Sequence, residues 1–240
     1  MKHILQEAVS LLRLNPSALR EEKAELSEFE KTLDQNRIIS QRLRSKESDT
    51  FRFLRTQILY MMHKHNFKTL AISSPRYGDG KSTICANLCT SIAQDLKQTV
   101  LLVDLDLRNP SLSEFMGIAP EKGLTDYLVG RARVEECLVR MPFERFTVFP
   151  AGKPVDQSSE TLGSPQMEQL AEELKSRYND RMIIYDMPPL LEQDDPLVFL
   201  PHVDCFLLIV KEGITTTEEI KRSMDILEPA KVIGVVLNTA

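Results

Sequence analysis

Short apolar runs alternate with helical patterns from Phe67 onward, and this alternation restricts the fold more than any other feature of the chain. Six such runs are apolar on both faces: Thr69–Ser73, Thr99–Val103, Phe146–Phe149, Met182–Tyr185, Cys205–Val210 and Val232–Leu237. Parallel strands that are covered by helices on both faces have this composition. The first intervening helix is marked by an apolar residue every four positions, at Ile84, Leu88, Ile92 and Leu96. We therefore predict an α/β fold with a doubly wound, mostly parallel sheet.

The N-terminal part of the chain differs from the rest. Residues 1–47 are rich in Glu, Leu, Arg and Lys and contain no glycine, and Asn15-Pro16 is a plausible helix start. One face of the following helix carries Leu19, Leu26, Phe29 and Leu33. We predict a helical appendage over residues 1–47 and a main domain over 48–240. The appendage packs either on its own domain or on a partner, and the sequence leaves both options open.

Charge and hydropathy exclude several classes of protein. Thirty basic and 35 acidic side chains give a net charge of -5 among 240 residues, which does not favour binding to nucleic acid or to anionic lipid. No apolar run approaches the roughly 20 residues that span a bilayer, and the N-terminus lacks the pattern of a signal peptide. We expect a cytoplasmic protein that binds no nucleic acid.

A glycine-rich turn follows the first predicted strand and reads Gly78-Asp79-Gly80-Lys81-Ser82-Thr83. Its glycines let successive backbone N–H groups point at phosphate oxygens, and the next helix start adds partial positive charge. In such a loop Lys81 reaches the β and γ phosphates, Ser82 is a magnesium ligand and Thr83 lies near the α phosphate. The usual first glycine is replaced by Pro75. The turn predicts a site for ATP or ADP with Mg²⁺, although alone it also fits an ordinary strand-to-helix turn with a surface lysine.

Aspartates follow two further apolar runs. Asp104 and Asp106 follow the second run and lie on one side of the extended chain, and Asp186 follows the fourth. Carboxylates suit Mg²⁺, and an aspartate that ends an apolar strand has the form of a Walker B residue. Singly, each aspartate is better explained as a helix cap or turn former. Their coincidence at strand ends, where doubly wound sheets bind ligands, predicts a magnesium site next to Lys81, with Ser82, Asp106 and Asp186 as metal ligands.

The segment from Val103 to Pro110 reads Val-Asp-Leu-Asp-Leu-Arg-Asn-Pro. It resembles the Walker A′ motif of the bacterial tyrosine kinases, a branch of the ParA/MinD-like P-loop ATPases that controls polysaccharide synthesis. The proline at position 75 fits that branch, in which the first glycine is commonly replaced. The resemblance runs from about Arg37 to Leu237 and includes Phe51-Arg52-Phe53-Leu54-Arg55-Thr56, Gly123-Leu124-Thr125-Asp126, Phe149-Pro150-Ala151-Gly152, Tyr185-Asp186-Met187-Pro188-Pro189 and Gly234-Val235-Val236-Leu237-Asn238.

The resemblance implies roles for several residues. By this resemblance Lys81, Asp104 and Asp106 are the catalytic residues. Asp104 and Asp106 act on the magnesium ion and on the incoming hydroxyl group, and Asp186 completes the metal coordination shell. Asn238 is similar to the residue that reads the adenine edge, although a polar residue at a strand end is also ordinary. The chain carries Arg76 where ParA/MinD proteins have a second, signature lysine, and a solvent-facing loop arginine is the alternative.

An oligomerisation motif of the family, Glu-x-x-Arg-x-x-Arg, resembles the spacing of Asp49, Arg52 and Arg55, with Asp replacing Glu. The resemblance therefore implies a homo-oligomer through these residues. By spacing alone they form a solvated helix face.

The resemblance implies an Mg-ATP-binding ATPase or kinase that regulates capsule or exopolysaccharide synthesis with a separate membrane protein of the polysaccharide co-polymerase type. Such a partner recruits it to the inner face of the cell membrane. A ParA/MinD-like positioning ATPase and a pseudokinase that acts as a nucleotide switch are the alternatives. The five tyrosines are dispersed and the chain ends without the family's tyrosine cluster, so we expect weak autophosphorylation on Tyr60, Tyr77, Tyr127, Tyr178 and Tyr185.

Overall fold

One mixed sheet organises the chain. A computed structural model describes residues 29–42, 45–95, 97–143, 145–177 and 180–239. Within these residues, seven strands form one sheet in the spatial order β3-β4-β2-β5-β1-β6-β7. Their bounds are β1 Thr69–Ser73, β2 Thr99–Asp104, β3 Val139–Arg140, β4 Phe146–Phe149, β5 Arg181–Asp186, β6 Cys205–Lys211 and β7 Val232–Asn238. All neighbouring strands pair in parallel except β3 and β4. The predicted doubly wound, mostly parallel fold is confirmed.

Helices cover both faces of this sheet. The longer ones are α1 (Lys46–His65), α2 (Lys81–Ala93), α7 (Pro165–Arg177) and α9 (Thr217–Ile226). Shorter helices are α3 (Leu112–Phe115), α4 (Leu124–Leu128), α5 (Val134–Cys137), α6 (Ser158–Leu162) and α8 (Asp195–Phe199), followed by a 3₁₀ turn at Leu200–His202. The predicted first crossover helix ends at Ala93, and Leu96 lies outside the described residues.

The six apolar runs all form strands. Residues of the inner strands are largely buried from both sides, whereas β7 at the edge of the sheet leaves Val235 and Leu237 exposed. In β1, which lies between β5 and β6, Leu70 and Ile72 enter the hydrophobic core on the α2 side, while Ala71 enters the core on the α7 side. Strand β3 was not predicted, since two residues are too few for a period to be visible. Strands β2, β5, β6 and β7 each end one residue past the predicted runs, so their polar C-terminal residues belong to the sheet.

A segment before α1 packs on the same core. Residues 29–35 are helical, and Leu33 and Ile38 are fully buried in the cluster on the α2 side. The predicted helix start at Asn15-Pro16 and the apolar positions 19 and 26 lie outside the described residues. The part of the appendage that is described therefore packs on its own domain, while the boundary at residue 47 remains a prediction.

One buried side chain fastens this segment to α2. Asn87 Oδ1 accepts hydrogen bonds from the Ile39 and Ser40 amides at 2.8 and 3.0 Å, and from Ser40 Oγ at 3.0 Å. Asn87 Nδ2 donates to the carbonyls of Arg37 and Thr83, both at 2.9 Å. We call residues 36–42 the strap. The strap is thus bonded to the helix that carries the glycine-rich turn at its start.

Asn87→Ala should lower the melting temperature, because it leaves two strap amides without their acceptor. A buried unsatisfied group costs about 1–3 kcal/mol, and each kcal/mol lowers the melting temperature by about 2–4 °C in a chain of this size. Differential scanning calorimetry measures the change. The matched control is Thr90→Val one turn later, since the Thr90 hydroxyl donates to Ala86 within its own helix. Equal losses in both variants would contradict the fastening role of Asn87.

Candidate nucleotide site

The turn between β1 and α2 has the backbone of an anion-binding loop. Gly78 and Gly80 have φ angles of 84° and 94°, which side-chain-bearing residues rarely adopt. A Cβ atom at Gly80 would also clash with Asn238 Nδ2, so a larger residue there would displace the Asn238 side chain. Because no side chain caps α2 and its first turn holds no acidic residue, the first amides of this helix face the loop without a protein anion. The arrangement can accept phosphate.

Side chains from β6, from β7 and from the segment between β6 and α9 stabilise the conformation of the loop. The Asp79 carboxylate accepts a hydrogen bond from the Arg76 amide at 3.0 Å, and its other oxygen contacts Thr215 Oγ1 at 3.3 Å. Asn238 Nδ2 donates to the Asp79 carbonyl at 2.9 Å, and Lys211 Nζ donates to the Gly78 carbonyl at 3.1 Å. The Asp79 side chain therefore stabilises the conformation of the turn to which its own backbone belongs. Asn238, which we expected at the adenine edge, has its amide nitrogen on this loop.

The three predicted aspartates lie side by side at the carboxyl ends of β2 and β5. Asp104 and Asp186 are paired residues of neighbouring strands, and Asp106 follows two positions later. Their exposed fractions are 1%, 1% and 2%, which makes the whole group buried. The ammonium of Lys81, itself 7% exposed, lies 3.4 Å from Asp106 Oδ2. The sheet thus brings together four charged groups that the sequence separates.

Burial and mutual repulsion dominate the electrostatics of this group. Burial, with the neighbouring Asp186 carboxylate, raises the pKa of Asp104 well above its usual value. Burial also raises the pKa of Asp186, against the opposing influence of Lys81. For Lys81 burial acts to lower the pKa, but the nearby negative charges of Asp186 and Asp106 outweigh it and the pKa is raised. One ammonium facing three carboxylates leaves negative charge that a bound cation can neutralise.

The donor set fits Mg²⁺ bound together with a nucleotide. Within the described part of the chain, no group of three or more His, Cys, Asp or Glu side chains is arranged to hold a metal ion. Asp104 Oδ2 is buried without a hydrogen-bond partner, and the Ser82 hydroxyl lies 3.4 Å from Lys81 Nζ and bonds to Asp186. Magnesium commonly takes one or two protein carboxylates and completes its shell with phosphate oxygens and water. Ser82, Asp106 and Asp186 are therefore compatible with such a shell when phosphates are present.

Tyr77 also belongs to this site, and sequence reasoning missed it. Its hydroxyl lies 3.2 Å from Asp106 Oδ1, accepts a hydrogen bond from Asn109 Nδ2 at 2.9 Å and contacts the Gln193 amide. The Lys81 ammonium lies 5.4 Å from the ring centroid. Its position directly before Gly78, the first residue of the glycine-rich turn, was the available signal. The Tyr77 ring therefore packs against the Lys81 ammonium.

Cys85 was also missed. Its thiol lies 3.5 Å from Asp186 Oδ1, and burial with the nearby Asp186 charge raises the pKa of that thiol. The signal was the spacing, because Cys85 follows Lys81 by one helical turn and so faces the same side. As a neutral group it adds no further charge to the carboxylates.

The predicted oligomerisation residues all lie on α1 and make contacts within the chain. Arg52 Nη1 lies 2.7 Å from Asp49 Oδ1, and Arg55 Nη1 donates to the Ser91 carbonyl of α2 at 2.7 Å. Arg76 forms an ion pair with Glu219 at the start of α9. The four side chains thus have partners inside one protomer.

The sequence matches a family of nucleotide-binding domains. The profile described as CobQ/CobB/MinD/ParA nucleotide binding domain matches residues 70–240. The tyrosine-protein kinase YwqD of Bacillus subtilis is 30% identical over 197 residues, which cover 81% of this chain and 82% of YwqD. The succinoglycan biosynthesis transport protein ExoP of Rhizobium meliloti is 31% identical over 85% of this chain, which spans only 26% of ExoP.

Solved structures agree with these matches. The kinase domain of the Escherichia coli tyrosine kinase ETK superposes with a TM-score of 0.78 at 28% identity, covering 85% of this chain and 80% of that domain. The septum site-determining protein MinD of Pyrococcus horikoshii, complexed with Mg-ADP, gives 0.60 at 25% identity, with 71% and 70% covered. The chain therefore belongs to the CobQ/CobB/MinD/ParA nucleotide-binding family, in the branch that contains the bacterial tyrosine-protein kinases.

Proposed function

We propose that this protein binds Mg-ATP at the glycine-rich turn and transfers the γ-phosphoryl group to a tyrosine hydroxyl or to water. The observation that carries the proposal is the buried group of Lys81 and three aspartates beside an uncapped helix start. The solved MinD relative with Mg-ADP and the kinase names of YwqD and ETK support the same assignment.

Each residue has a role in this reaction. The loop amides and Lys81 hold the β and γ phosphates and offset their charge. The acceptor oxygen bonds to the γ phosphorus while the bond to the β–γ bridging oxygen breaks, and the electron pair leaves with ADP. The proton of the acceptor hydroxyl passes to Asp106 or Asp104. A bound magnesium ion supplies further positive charge to the phosphate oxygens, with Ser82, Asp106 and Asp186 as its protein ligands.

The contact between Tyr77 and Asp106 supports a tyrosine as the acceptor. Tyr77 presents its hydroxyl to Asp106 at 3.2 Å, which is the contact that a tyrosine substrate needs for proton transfer. A tyrosine acceptor is therefore compatible with the Asp106 carboxylate, and Tyr77 has to turn away when one binds.

The biological setting is proposed from the relatives. ExoP is named for succinoglycan transport, which supports a role in polysaccharide synthesis or export. In the part of the chain that is described, no helix has the length and hydropathy for a membrane span. We propose action at the inner face of the membrane, beside a membrane protein of the polysaccharide co-polymerase type. Self-association through Asp49, Arg52 and Arg55 belongs to the same proposal and requires the contacts within the protomer to rearrange.

Two other functions remain as rivals. A ParA/MinD-like positioning ATPase needs a signature side chain that crosses to a partner's nucleotide, whereas Arg76 pairs with Glu219 in its own chain. A pseudokinase would bind ATP and transfer nothing. Incubation with labelled ATP and a tyrosine-containing acceptor peptide, followed by separation of free phosphate from phosphotyrosine, distinguishes the three: phosphotyrosine supports the kinase, phosphate alone an ATPase, and neither a switch.

Lys81→Met should weaken Mg-ATP binding by at least about tenfold, because the phosphate charge loses its ammonium partner. Isothermal titration calorimetry measures this. Lys221→Met on exposed α9 is the matched control and should bind like the parent. Unchanged affinity and turnover in Lys81→Met would remove the phosphate site from this loop.

Asp106→Asn and Asp186→Asn should each lower magnesium-dependent turnover by at least about tenfold, since an amide is a poorer ligand for a hard cation. Affinity for ADP without magnesium should change much less. Turnover across a magnesium titration tests both variants. A variant that follows the parent at every magnesium concentration would show that its aspartate only shapes the strand end.

Asp104→Asn should stabilise the nucleotide-free protein while reducing turnover. The pKa of Asp104 is raised in the folded state, so stability falls as pH rises from the unfolded value of about 3.9 through the folded pKa. The amide removes that loss, and the variant's advantage in melting temperature should grow with pH over this window. Asp156→Asn, an exposed position, is the control. A destabilised Asp104→Asn protein at neutral pH would contradict the charge argument.

Autophosphorylation on the described tyrosines should be weak, even with Mg-ATP. Tyr185 is fully buried in β5, Tyr60 lies within α1, and Tyr77 is bonded inside its own site. Tyr178 lies outside the described residues. Phosphopeptide mass spectrometry measures the stoichiometry, with Lys81→Met as control. Near-complete phosphorylation at any of these positions, lost in Lys81→Met, would show an autokinase with an acceptor in ordered structure.

A further inference from the structure

Strand β7 leaves one edge of the sheet open. It is the last strand in the spatial order, and within the described residues no strand pairs with its outer side. The opposite edge is formed by β3, which has only two residues, whereas β7 has seven. Exposed edges usually carry a charged side chain or a proline that prevents pairing, but the sequence of β7, Val-Ile-Gly-Val-Val-Leu-Asn, contains neither. This edge can therefore accept another strand.

The hydrogen bonds of β7 show which backbone groups face outward. The Asn238 carbonyl accepts a bond from the Glu212 amide at 2.9 Å, so Asn238 directs its backbone groups towards the β6 side. Because this direction alternates along a strand, Val235 and Leu237 direct their N–H and C=O groups to the open edge. Their side chains are also exposed, by 49% and 56%. Two donors and two acceptors thus point away from the domain.

An apolar groove lies beside this edge, between β7 and α1. Its volume is about 330 Å³, and the side chains that line it are all uncharged. One wall contains Leu54, Ile58 and Met61 of α1, and the other contains Ile233, Gly234 and Val236 of β7. A strand that adds to β7 directs every second side chain to the face that carries the groove. The groove can therefore hold an apolar side chain of such a strand.

One end of the groove carries positive charge. Because α1 ends at His65, shortly before the parallel strand β1 begins, the end of α1 and the start of β7 lie at the same end of the sheet. The Lys64 ammonium lies there, 5.9 Å from the centroid of the Tyr60 ring, and Tyr60 itself lines the groove. The exposed Lys231 directly precedes β7. These two ammonium groups are complementary to carboxylates.

We propose that this edge binds an extended segment of a partner protein, which adds to β7 as an antiparallel strand, places an apolar side chain in the groove and ends in acidic residues beside Lys64 and Lys231. Antiparallel pairs are the commoner arrangement, and in that direction the C-terminal end of the segment lies beside the two ammonium groups. A second copy of this chain fits less well. Pairing of β7 with its own copy brings the other α1 onto the same face of the sheet, where it competes for the groove.

A library of linear peptides displayed on phage, selected on the full-length protein, provides the probe. Enriched peptides should have apolar residues at alternate positions, followed by Asp or Glu. Selection that enriches no sequence, or only sequences without this pattern, would overturn the proposal. The most enriched peptide, synthesised with a fluorescent label, is then titrated with the protein and its variants, and anisotropy measures the affinity.

Two variants of β7 test where the peptide binds. Val235→Pro removes an N–H group that faces outward and leaves the bonds to β6 intact, so binding should weaken by at least about tenfold. Gly234→Val fills the groove and should have the same effect. A Cβ atom at Gly234 makes only ordinary contact with Leu207, and the glycine has no positive φ angle, so this variant should fold. Phe53→Ala, exposed on α1 outside the groove, is the matched control and should bind like the parent.

The melting temperature and the affinity for ADP should change little in these variants, which separates this edge from the proposed nucleotide site. If Val235→Pro fails to fold, Gly234→Val and the methylated peptides described next decide the matter. Folded variants that keep full affinity for the peptide would place it elsewhere and overturn the proposal.

Methylation of the peptide backbone tests the pairing itself. N-methyl groups on the amides that face β7 should abolish binding, whereas methylation of the alternate amides should not. Replacement of both Lys64 and Lys231 by Gln should weaken binding by about threefold and reduce its dependence on salt. Equal binding of the two methylated peptides would rule out strand addition, and an unchanged salt dependence would remove the acidic end from the proposal.

Hydrogen exchange measured by NMR gives an independent readout. In the free protein the Val235 and Leu237 amides should exchange quickly and the Val236 amide, which faces β6, slowly. The bound peptide should slow exchange at Val235 and Leu237. Slow exchange at these two amides in the free protein, or fast exchange that the peptide does not change, would contradict an open edge that accepts a strand.

Discussion

Repulsion among three buried carboxylates is the constraint around which the domain is arranged. Asp104, Asp106 and Asp186 are withdrawn from water at adjacent strand ends, with the Lys81 ammonium beside them. Burying charge without full compensation is costly, so the surrounding fold supplies the stability that holds them there. Both hydrophobic clusters meet the sheet directly behind this edge. The position of these groups next to an uncapped helix start is compatible with a ligand that carries both anionic oxygens and a cation.

The turn that faces these carboxylates depends on distant parts of the chain for its shape. Lys211 and Asn238 hold its carbonyls from the ends of β6 and β7, and Thr215 holds Asp79. Gly80 lets Asn238 approach because it has no Cβ atom. The conformation of the turn is thus set largely before a ligand arrives, which reduces the entropy that binding has to overcome.

The sequence predicted the features that depend on local pattern. Strands buried on both faces leave long apolar runs, and a turn with Gly80 and Lys81 has few alternatives, so the sheet and the turn were found. Contacts that depend on long-range packing were not. Nothing near Tyr77 in the sequence indicates that Asn109 and Gln193 hold its hydroxyl. Asn87 likewise gives no sign of bonding to residues about fifty positions earlier, because a polar residue within a helix is ordinary. Two-residue β3 is too short for any periodicity.

The strand order has a consequence for synthesis on the ribosome. Strand β1 lies between β5 and β6, so Thr69 pairs with Ile183 and Leu70 with Cys205. Ile183 follows Thr69 by 114 residues and Cys205 follows Leu70 by 135 residues, so β1 has no neighbour to pair with until more than one hundred further residues have left the exit tunnel. Until then the emerging segment has an apolar strand with both edges open, which is a hazard for aggregation and for contact with chaperones. The glycine-rich turn, which β1 anchors, therefore takes its final shape late, because a nascent chain that stops before β5 lacks Lys211 and Asn238, which hold the carbonyls of the turn.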